Sequence, residues 1–188
     1  MLILKSASPR RREFLESLGF EFQILVADVD ETTKVGERPL EYLKRVTLAK
    51  LERHSCEDKH LYIAADTIVV HQGDILMKPQ DWQDAQRMLQ RLSGTQHSVY
   101  SGLALFGNRN LHYTYDQTQV LSKTWTQQDI EAYLQEYKPF DKAGSYGVQD
   151  KGGPVQELQG SYSNVVGFPL RKFYLFSGLW KQYLGDNV

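Results

Sequence analysis

The sequence predicts an α/β fold, because short strand-type segments alternate with amphipathic helical segments along the whole chain. The 188 residues, 41% of them hydrophobic, suffice for one domain with a buried core. The sequence contains no internal repeat, low-complexity tract or Pro/Gly/Ser-rich linker. We therefore interpret residues 1–188 as a single domain.

The first predicted elements are a short strand and a capped helix. Residues 2–4 form an apolar run. Ser8 then occupies a preferred N-cap position, and Pro9 fits the first position of the helix. The apolar face of this helix reaches Leu18, and Gly19 ends it.

The later elements are predicted from strand alternation and helical spacing. Thr126 and Asp129 resemble a capping pair at the start of one helix, and Pro169 precedes the last helix. Residues 28–37 are polar and predict a loop, while a turn at residues 107–110 joins two strands. The predicted strands are residues 22–26, 61–65, 68–70, 99–106 and 113–120, and the predicted helices begin near Leu40, Trp82, Thr126 and Pro169.

Composition and charge exclude several function classes. The 22 Lys and Arg residues nearly balance the 23 Asp and Glu residues, so the chain has no general positive field for long nucleic acid. Cys56 is the single cysteine and cannot form an internal disulfide, which gives no sign of secretion. The sequence shows neither a signal-peptide pattern nor the ~18 apolar residues of a membrane span. It therefore predicts a cytoplasmic protein without membrane or long nucleic-acid partners.

The segment between the first strand and the first helix predicts an anion site. A helix N-terminus offers free backbone N–H groups and the positive end of a dipole, which suits phosphate. Ser6 and Ser8 add hydroxyl donors. Arg10, Arg11 and Arg12 add charges whose sheltered hydrogen bonds contribute ~1.5–3 kcal/mol each. The alternative is a capped surface helix with solvated arginines, but arginines at a helix start oppose the dipole, so we favour the anion site.

Two acidic positions are candidates for metal binding or proton transfer. Residues 28–31 hold closely spaced carboxylates that can bind a hard cation such as Mg²⁺, although a solvated acidic loop explains this segment alone better. Asp66 lies at the end or in the middle of an apolar strand, where burial and strand propensity disfavour it. It therefore needs a metal, a lysine or a substrate water as a partner. A structural Asp bonded to a backbone turn is an equal alternative.

Several further residues are candidates for ligand binding. Lys50 lies within a predicted helix, and Lys78 is fixed by the proline that follows it. Lys142 begins a glycine-containing stretch whose backbone could approach a ligand closely. Gln149 could both donate to and accept from the edge of a base. For any one of the lysines, a solvated surface position explains the residue better. The P-loop, dinucleotide-binding and nucleophile-elbow motifs are absent.

Taken together, these segments resemble the Maf family of nucleotide pyrophosphatases. They occur in the order of the family and cover nearly the whole chain, so the set is far more specific than any one motif. The matching segments are residues 6–11, 30–31, 65–67, 78–79, 92–94 with His97, 141–149 and 160–167.

The resemblance implies an elongated mixed sheet with flanking helices, in which two lobes surround a central cleft as in inosine triphosphatases. It implies hydrolysis of dTTP or UTP, or of modified pyrimidine nucleotides, to the monophosphate and pyrophosphate. A divalent cation, Mg²⁺ or Mn²⁺, is the implied cofactor, and a homodimer is the implied assembly. The rival function is a nucleotide-binding regulator of cell division and septum formation.

The resemblance also implies roles for single residues. Asp66 matches a proposed proton acceptor and Glu31 matches a carboxylate near the metal, so Glu31 together with Asp66 would hold the cation. Asp66 cannot easily be both metal ligand and free base, and both roles stay open at this point. The positions that line the phosphate site are Ser6, Arg11, Lys50, Lys78 and Lys142, and the positions linked to base choice are Arg10, Thr67 and Gln149.

Three departures from the family pattern are visible. Lys5 stands where a small residue is usual, and residues 138–140 replace the usual Glu-Pro-Leu. Asp150 stands where glycine is usual. Because Asp150 follows Gln149 directly, it is the departure that bears most on substrate choice.

Overall fold

A mixed sheet carries the fold. The computed structural model describes residues 1–52, 56–57 and 59–184, and its sheet has seven strands in the order β2-β1-β3-β5-β6-β7, with β4 paired to β3. The strands are β1 (Leu2–Leu4), β2 (Phe22–Ile24), β3 (Leu61–His71), β4 (Asp74–Leu76), β5 (Gln96–Gly107), β6 (Asn110–Ser122) and β7 (Val155–Gln159). β1 runs parallel to β2 and β3, whereas β4 and β7 are antiparallel to β3 and β6. The predicted α/β class is confirmed.

Helices flank the sheet at several points of the described chain. They are α1 (Pro9–Ser17), α2 (Pro39–Ala49), α3 (Trp82–Leu92), α4 (Gln127–Tyr137), α5 (Tyr162–Val166), α6 (Leu170–Tyr174) and α7 (Ser177–Trp180), with short 3-10 turns at Ala143–Ser145 and Lys181–Tyr183. Within the described ranges, the helices are all too short or too polar to cross a lipid bilayer.

The predicted helix ends are mostly confirmed. Thr126 and Asp129 form the expected reciprocal cap of α4, with Asp129 N–H donating to Thr126 Oγ1 at 3.2 Å and Thr126 N–H donating to Asp129 Oδ2 at 2.8 Å. Gly19 follows the end of α1 with a positive φ of 81°, which glycine adopts without strain. Ser8 does occupy the N-cap of α1, but its side chain makes no capping hydrogen bond.

The structure corrects several strand predictions. Residues 61–65 and 68–70 belong to one strand, because Asp66 and Thr67 continue β3 instead of ending it. β2 stops at Ile24, two residues before the predicted end. No strand was predicted at β4 or β7, and the last predicted helix after Pro169 is broken into α6 and α7.

The chain divides into two compact units, each assembled from separated segments. The first unit comprises Met1–Asp66, Ser101–Asp116 and Gly167–Val188. The second unit comprises Thr67–Tyr100 and Gln117–Val166. The single domain over residues 1–188 and the cleft between two lobes stay predictions.

The core of the first unit covers both faces of its strands. One face buries side chains of β1 and β3 together with α1 and the C-terminal helices, and the other buries Tyr62 and Ala64 together with Leu51, just beyond α2. Successive side chains of a strand point to opposite faces. Asp66 therefore continues the row of Tyr62 and Ala64 and faces the end of α2.

The core of the second unit packs two amphipathic helices against the sheet. Ala85, Leu89 and Leu92 from α3 join Ile130 and Leu134 from α4 in one buried cluster. This spacing confirms the apolar face that the sequence predicted for α3.

Candidate active site

Arg11 is fixed at the start of α1. Its side chain is buried, and its Nε donates to the carbonyl of Gly167 at 2.8 Å. Its Nη1 donates to the hydroxyl of Ser6 at 3.1 Å. The same hydroxyl accepts from the backbone N–H of Ser8 at 3.2 Å. The turn between β1 and α1 therefore holds a guanidinium in one orientation, as an anion site requires.

The other two arginines of this segment differ from Arg11. Arg12 is exposed and pairs with Glu16 one turn along α1, at 2.7 Å, so it fits the solvated alternative. Arg10 is only partly buried, and its charge contributes to lowering the pKa of Arg11.

Two carboxylates act on the pKa of Arg11. Burial lowers this pKa most, the negative charge of Asp66 raises it, and Glu31 raises it further. A guanidinium keeps its charge in proteins, so Arg11 remains cationic. The charge of Arg11 is therefore coupled electrostatically to the charges of both Asp66 and Glu31.

Lys50 joins these two carboxylates directly. Its Nζ lies 2.6 Å from Asp66 Oδ1 and 2.7 Å from Glu31 Oε1. The side chains of Lys50 and Asp66 are 12% and 11% exposed, so water screens their contact weakly. Of the partners predicted for a buried Asp66, the structure therefore shows the lysine. The ammonium also shows that two carboxylates from different segments can share one cation at this point.

Two side chains of α2 hold the loop that carries Glu31. The hydroxyl of Tyr42 donates to the carbonyl of Glu31 at 2.8 Å. Arg45 forms a bidentate pair with Glu37 at 2.6 and 2.8 Å, and this pair lowers the pKa of Glu37 to about 2. The sequence analysis missed both residues. Their spacing of three residues places them side by side on α2, but the sequence gives no sign that a loop packs against them.

The remaining candidate residues belong to the second unit. Lys78 is exposed, and Lys142 is partly buried and bonded to Asp141 at 3.0 Å. The backbone N–H of Gly144 donates to the carbonyl of Met77 at 3.2 Å, so the segments carrying these two lysines meet. Thr67 is partly buried on β3, and Gln149 is exposed.

The structure thus brings together five candidate residues in the first unit: Ser6, Arg11, Glu31, Lys50 and Asp66. Arg10 directly precedes Arg11 in the chain, and its positive charge acts on the pKa of Arg11. Thr67, Lys78, Lys142 and Gln149 lie in the second unit, and their convergence on the first set stays a prediction.

A family model described as Maf-like protein matches residues 1–176 of the chain. The chain belongs to the Maf-like family. Curated proteins similar to this chain carry the name dTTP/UTP pyrophosphatase. The one from Leptospira interrogans is 49% identical over 187 residues, covering 100% of this chain and 99% of the relative. The one from Vibrio cholerae is 42% identical over 172 residues, covering 90% and 92%.

A solved structure extends the comparison to the fold. The Ham1 protein of Staphylococcus aureus aligns with a TM-score of 0.51 at 13% identity, covering 94% of this chain and 98% of that chain. At this level of identity the likeness concerns the fold alone. It agrees with the mixed sheet and flanking helices of the Maf-like chain.

Asp150, a departure from the Maf pattern, is engaged in its own turn. Its Oδ2 accepts from the hydroxyl of Tyr133 at 2.5 Å and from the backbone N–H of Gly147 at 3.1 Å. A Cβ added to Gly147 would lie 2.7 Å from this carboxylate oxygen, so a side chain there would displace the Asp150 carboxylate. Asp150 therefore closes the turn that precedes β7 instead of presenting a spare charge beside Gln149.

Lys5, another departure, is fully buried. Its Nζ contacts Glu52 Oε2 at 2.7 Å, and the carboxylate side is 30% exposed. Because Glu52 follows the end of α2 closely, the pair ties β1 to the helix end that carries Lys50. A buried lysine is tolerated here because it has this partner.

One matched motif is structural in the second unit. His97 and Tyr146 both lie in segments that match the Maf family, and His97 Nε2 is 2.7 Å from the Tyr146 hydroxyl. Burial lowers the pKa of His97 to about 4, so this imidazole is neutral near pH 7. The pair connects β5 to the glycine-containing segment after Lys142.

Proposed function

We propose that this Maf-like chain is a nucleoside triphosphate diphosphatase that hydrolyses dTTP and UTP to the monophosphate and pyrophosphate. The observation that carries the proposal is the contact of Lys50 with both Asp66 and Glu31 beside the buried Arg11. The names of the curated relatives support this reaction and favour an enzyme over a nucleotide-binding regulator of cell division. A cytoplasmic location and a homodimer stay predictions of the resemblance.

Arg11, Ser6 and Lys50 are proposed to bind the phosphates of the substrate. The guanidinium of Arg11 is buried and held by Gly167 and Ser6, so phosphate binding need not order it first. The N-terminus of α1, a helix of nine residues, lies in the same segment and favours negative charge. Lys78 and Lys142 are also proposed to contact phosphate, as the family resemblance implies.

The carboxylates of Glu31 and Asp66 fit a divalent cation such as Mg²⁺ or Mn²⁺. Carboxylate oxygens are the ligands that these hard cations prefer. In the described residues, no group of three or more His, Cys, Asp or Glu side chains could hold a metal ion. Two carboxylates with phosphate oxygens and water match the usual Mg²⁺ site of phosphate-processing enzymes. When bound, the cation would neutralise charge that develops on the phosphate oxygens.

Asp66 is proposed to act on the attacking water. In this role it orients a water molecule and accepts a proton while the water oxygen bonds to the α-phosphorus. The bond from the α-phosphorus to the bridging oxygen breaks, and pyrophosphate leaves with that oxygen. Arg11 and Lys50 would stabilise the negative charge on the leaving group. A metal-ligand role for Asp66 is the alternative, and Mn²⁺ binding by Asp66→Asn separates the two.

Arg10, Thr67 and Gln149 are proposed to select the base. Gln149 carries both a donor and an acceptor and is exposed, so a pyrimidine edge can pair with it. Because Asp150 is bonded to Tyr133 and Gly147, we expect it to leave this selection to Gln149.

The reaction is tested with a panel of nucleoside triphosphates, each incubated with the protein and Mg²⁺ or Mn²⁺ in ¹⁸O-labelled water. We expect dTTP and UTP to be hydrolysed fastest, with ¹⁸O in the monophosphate and none in the pyrophosphate. Release of orthophosphate and a nucleoside diphosphate would contradict attack at the α-phosphorus. Tight binding of nucleotide without any turnover would instead favour the regulator.

A further inference from the structure

The loop that carries Glu31 is bonded to α2 by its backbone. Residues 25–34 form no helix or strand, yet three successive carbonyls of this loop accept hydrogen bonds from two side chains of α2. The carbonyl of Asp30 accepts from Arg45 Nη1 at 3.3 Å, and that of Thr32 accepts from Arg45 Nη2 at 2.8 Å. The carbonyl of Glu31 between them accepts from the hydroxyl of Tyr42 at 2.8 Å.

The two anchoring side chains are themselves held in place. Arg45 lies over the ring of Tyr42, at 5.4 Å from the ring centroid, and its bidentate pair with Glu37 fixes the plane of the guanidinium. The side chains of Arg45 and Glu37 are only 25% and 9% exposed. Surface loops usually bond their carbonyls to water and move more than helices. Three carbonyls of this loop are instead bonded to side chains of α2.

The anchoring places Glu31 relative to Lys50. The backbone of Glu31 is bonded to the first half of α2, and its carboxylate contacts Lys50, the C-cap of the same helix. One helix therefore orients both the carboxylate and the cation that it meets. A shift of the loop would change the distance from Glu31 to Asp66, since Lys50 contacts both.

We propose that Arg45 and Tyr42 are positioning residues that hold the Glu31 carboxylate in place and thereby set the affinity of the site for a divalent cation. The metal part of this inference rests on the proposed function. Both residues act through the loop and through Glu31. Residues that orient metal ligands in this way typically change metal affinity by ~10–100-fold when they are replaced.

The test uses Mn²⁺ alone as the probe, with binding followed by electron paramagnetic resonance. Arg45→Lys keeps the charge but cannot form the planar fork, so we expect the Kd for Mn²⁺ to rise by ~10-fold or more. Tyr42→Phe removes one hydrogen bond and should raise the Kd less, by ~2–10-fold. Lys44→Ala is the matched control, because Lys44 is the neighbour of Arg45 on α2 and its Nζ lies over the ring of Tyr113 at 5.8 Å.

Hydrogen exchange and kinetics separate positioning from general stabilisation. We expect faster amide exchange in Arg45→Lys at residues 28–35 and unchanged exchange in β3. We also expect the Mn²⁺ concentration for half-maximal activity to rise, while kcat at saturating Mn²⁺ returns towards the wild-type value. Lys44→Ala should match the wild type in its Kd for Mn²⁺, in amide exchange and in the Mn²⁺ dependence of its activity.

The outcomes distinguish this inference from the proposed function. Unchanged Mn²⁺ affinity in both Arg45→Lys and Tyr42→Phe, with or without a lower Tm, would overturn the inference while leaving an active wild-type enzyme. A wild type that binds Mn²⁺ but releases no pyrophosphate from any triphosphate would overturn the proposed function. In that case Mn²⁺ binding and exchange still decide the role of Arg45. Tyr42→Phe keeps the inference testable if Arg45→Lys does not fold.

Discussion

The two units of the chain stabilise their polar groups in different ways. In the first unit, charged side chains are largely shielded from water: Arg11 is 8% exposed, and the paired side chains of Lys50 and Asp66 are 12% and 11% exposed. In the second unit, a prominent buried polar contact is that of His97 with Tyr146, which is neutral near pH 7. The first unit therefore holds charged side chains in its interior, whereas this contact in the second unit is neutral and stabilises the fold.

This difference indicates where single substitutions should change the catalytic rate and where they should change stability. A buried ion pair costs desolvation energy and is retained where function or specificity requires it. A buried neutral hydrogen bond costs less and stabilises the fold alone. We therefore expect substitutions of buried acids in the first unit to separate into catalytic and structural classes, and substitutions of the buried pair His97 and Tyr146 in the second unit to change stability.

The largest expected effect is that of Asp66→Asn on turnover. Asn cannot accept a proton, so we expect kcat for UTP hydrolysis to fall by ~10³-fold, within the range for loss of a general base. Asp116→Asn is the matched control, because Asp116 is also a buried strand carboxylate and forms a bidentate pair with Arg171 at 2.8 and 3.0 Å. The control should lower Tm and leave kcat unchanged. Full activity of Asp66→Asn would remove Asp66 from the mechanism.

Mn²⁺ binding by the same variant separates the two roles of Asp66. As a base, Asp66 can be replaced by Asn with little change in the Kd for Mn²⁺. As a metal ligand, its replacement should weaken Mn²⁺ binding by at least ~10-fold, as loss of a negative oxygen ligand does for a hard cation.

The sequence predicted helix caps and apolar helix faces better than it predicted the extent of the strands. The caps of α4 and the apolar face of α3 depend on residues three or four positions apart, so local patterns reveal them. β3 was divided in two because the polar residues Asp66 and Thr67 interrupt its apolar run. β7 was missed because its half-exposed residues lack an apolar face.

Several residues of the candidate site were singled out from the sequence, but the contacts between them were not predictable. Ser6 stood out as a hydroxyl donor just before a helix N-terminus. Arg11 stood out because a positive charge at a helix start opposes the dipole, and Asp66 because a carboxylate is disfavoured in an apolar strand. The contact of Arg11 with Gly167 joins residues 156 positions apart, which no local pattern contains. Arg45 was overlooked because an arginine on a helix is usually solvated, and its role appears only when the loop of Glu31 folds against it.

In the second unit, His97 should make the free energy of unfolding depend on pH. Burial lowers the pKa of His97 from 6.5 to about 4. Between these two pH values the imidazole is therefore protonated in the unfolded chain but neutral in the folded protein. This contribution is complete above pH 6.5 and is lost as the pH falls towards 4. It amounts to about 3 kcal/mol. His97→Gln should therefore flatten the dependence, as measured by urea unfolding between pH 7.5 and pH 4.5.

Tyr146→Phe provides the control for this prediction. It removes the hydrogen bond to His97 but keeps the buried imidazole, so the free energy of unfolding should fall by about 1 kcal/mol at every pH, with an unchanged slope. Parallel pH profiles for the wild type and His97→Gln would contradict the assignment of burial as the cause.

The smallest expected effect is that of Asp150→Ala, and it tests whether the second unit is structural even where it departs from the Maf pattern. The substitution removes the acceptor that the Tyr133 hydroxyl and the Gly147 N–H share, although Gly147 N–H keeps its bond to Tyr133 at 3.0 Å. We expect a loss of about 1–2 kcal/mol in the free energy of unfolding, because the buried Tyr133 hydroxyl is left without its acceptor. Asp74→Ala, which breaks the exposed pair with Arg91, should cost less than about 0.5 kcal/mol.

The selectivity of Asp150→Ala decides between two roles for this carboxylate. If Asp150 only closes its turn, the ratio of kcat/KM for UTP to that for CTP should stay within about twofold of the wild type, since a difference of 0.4 kcal/mol corresponds to that ratio. A tenfold change in the ratio, with stability unchanged, would mean that the carboxylate contacts the base. The contrast between the charged interior of the first unit and the structural contacts of the second would then fail at Asp150, one of the positions where this chain departs from the Maf pattern.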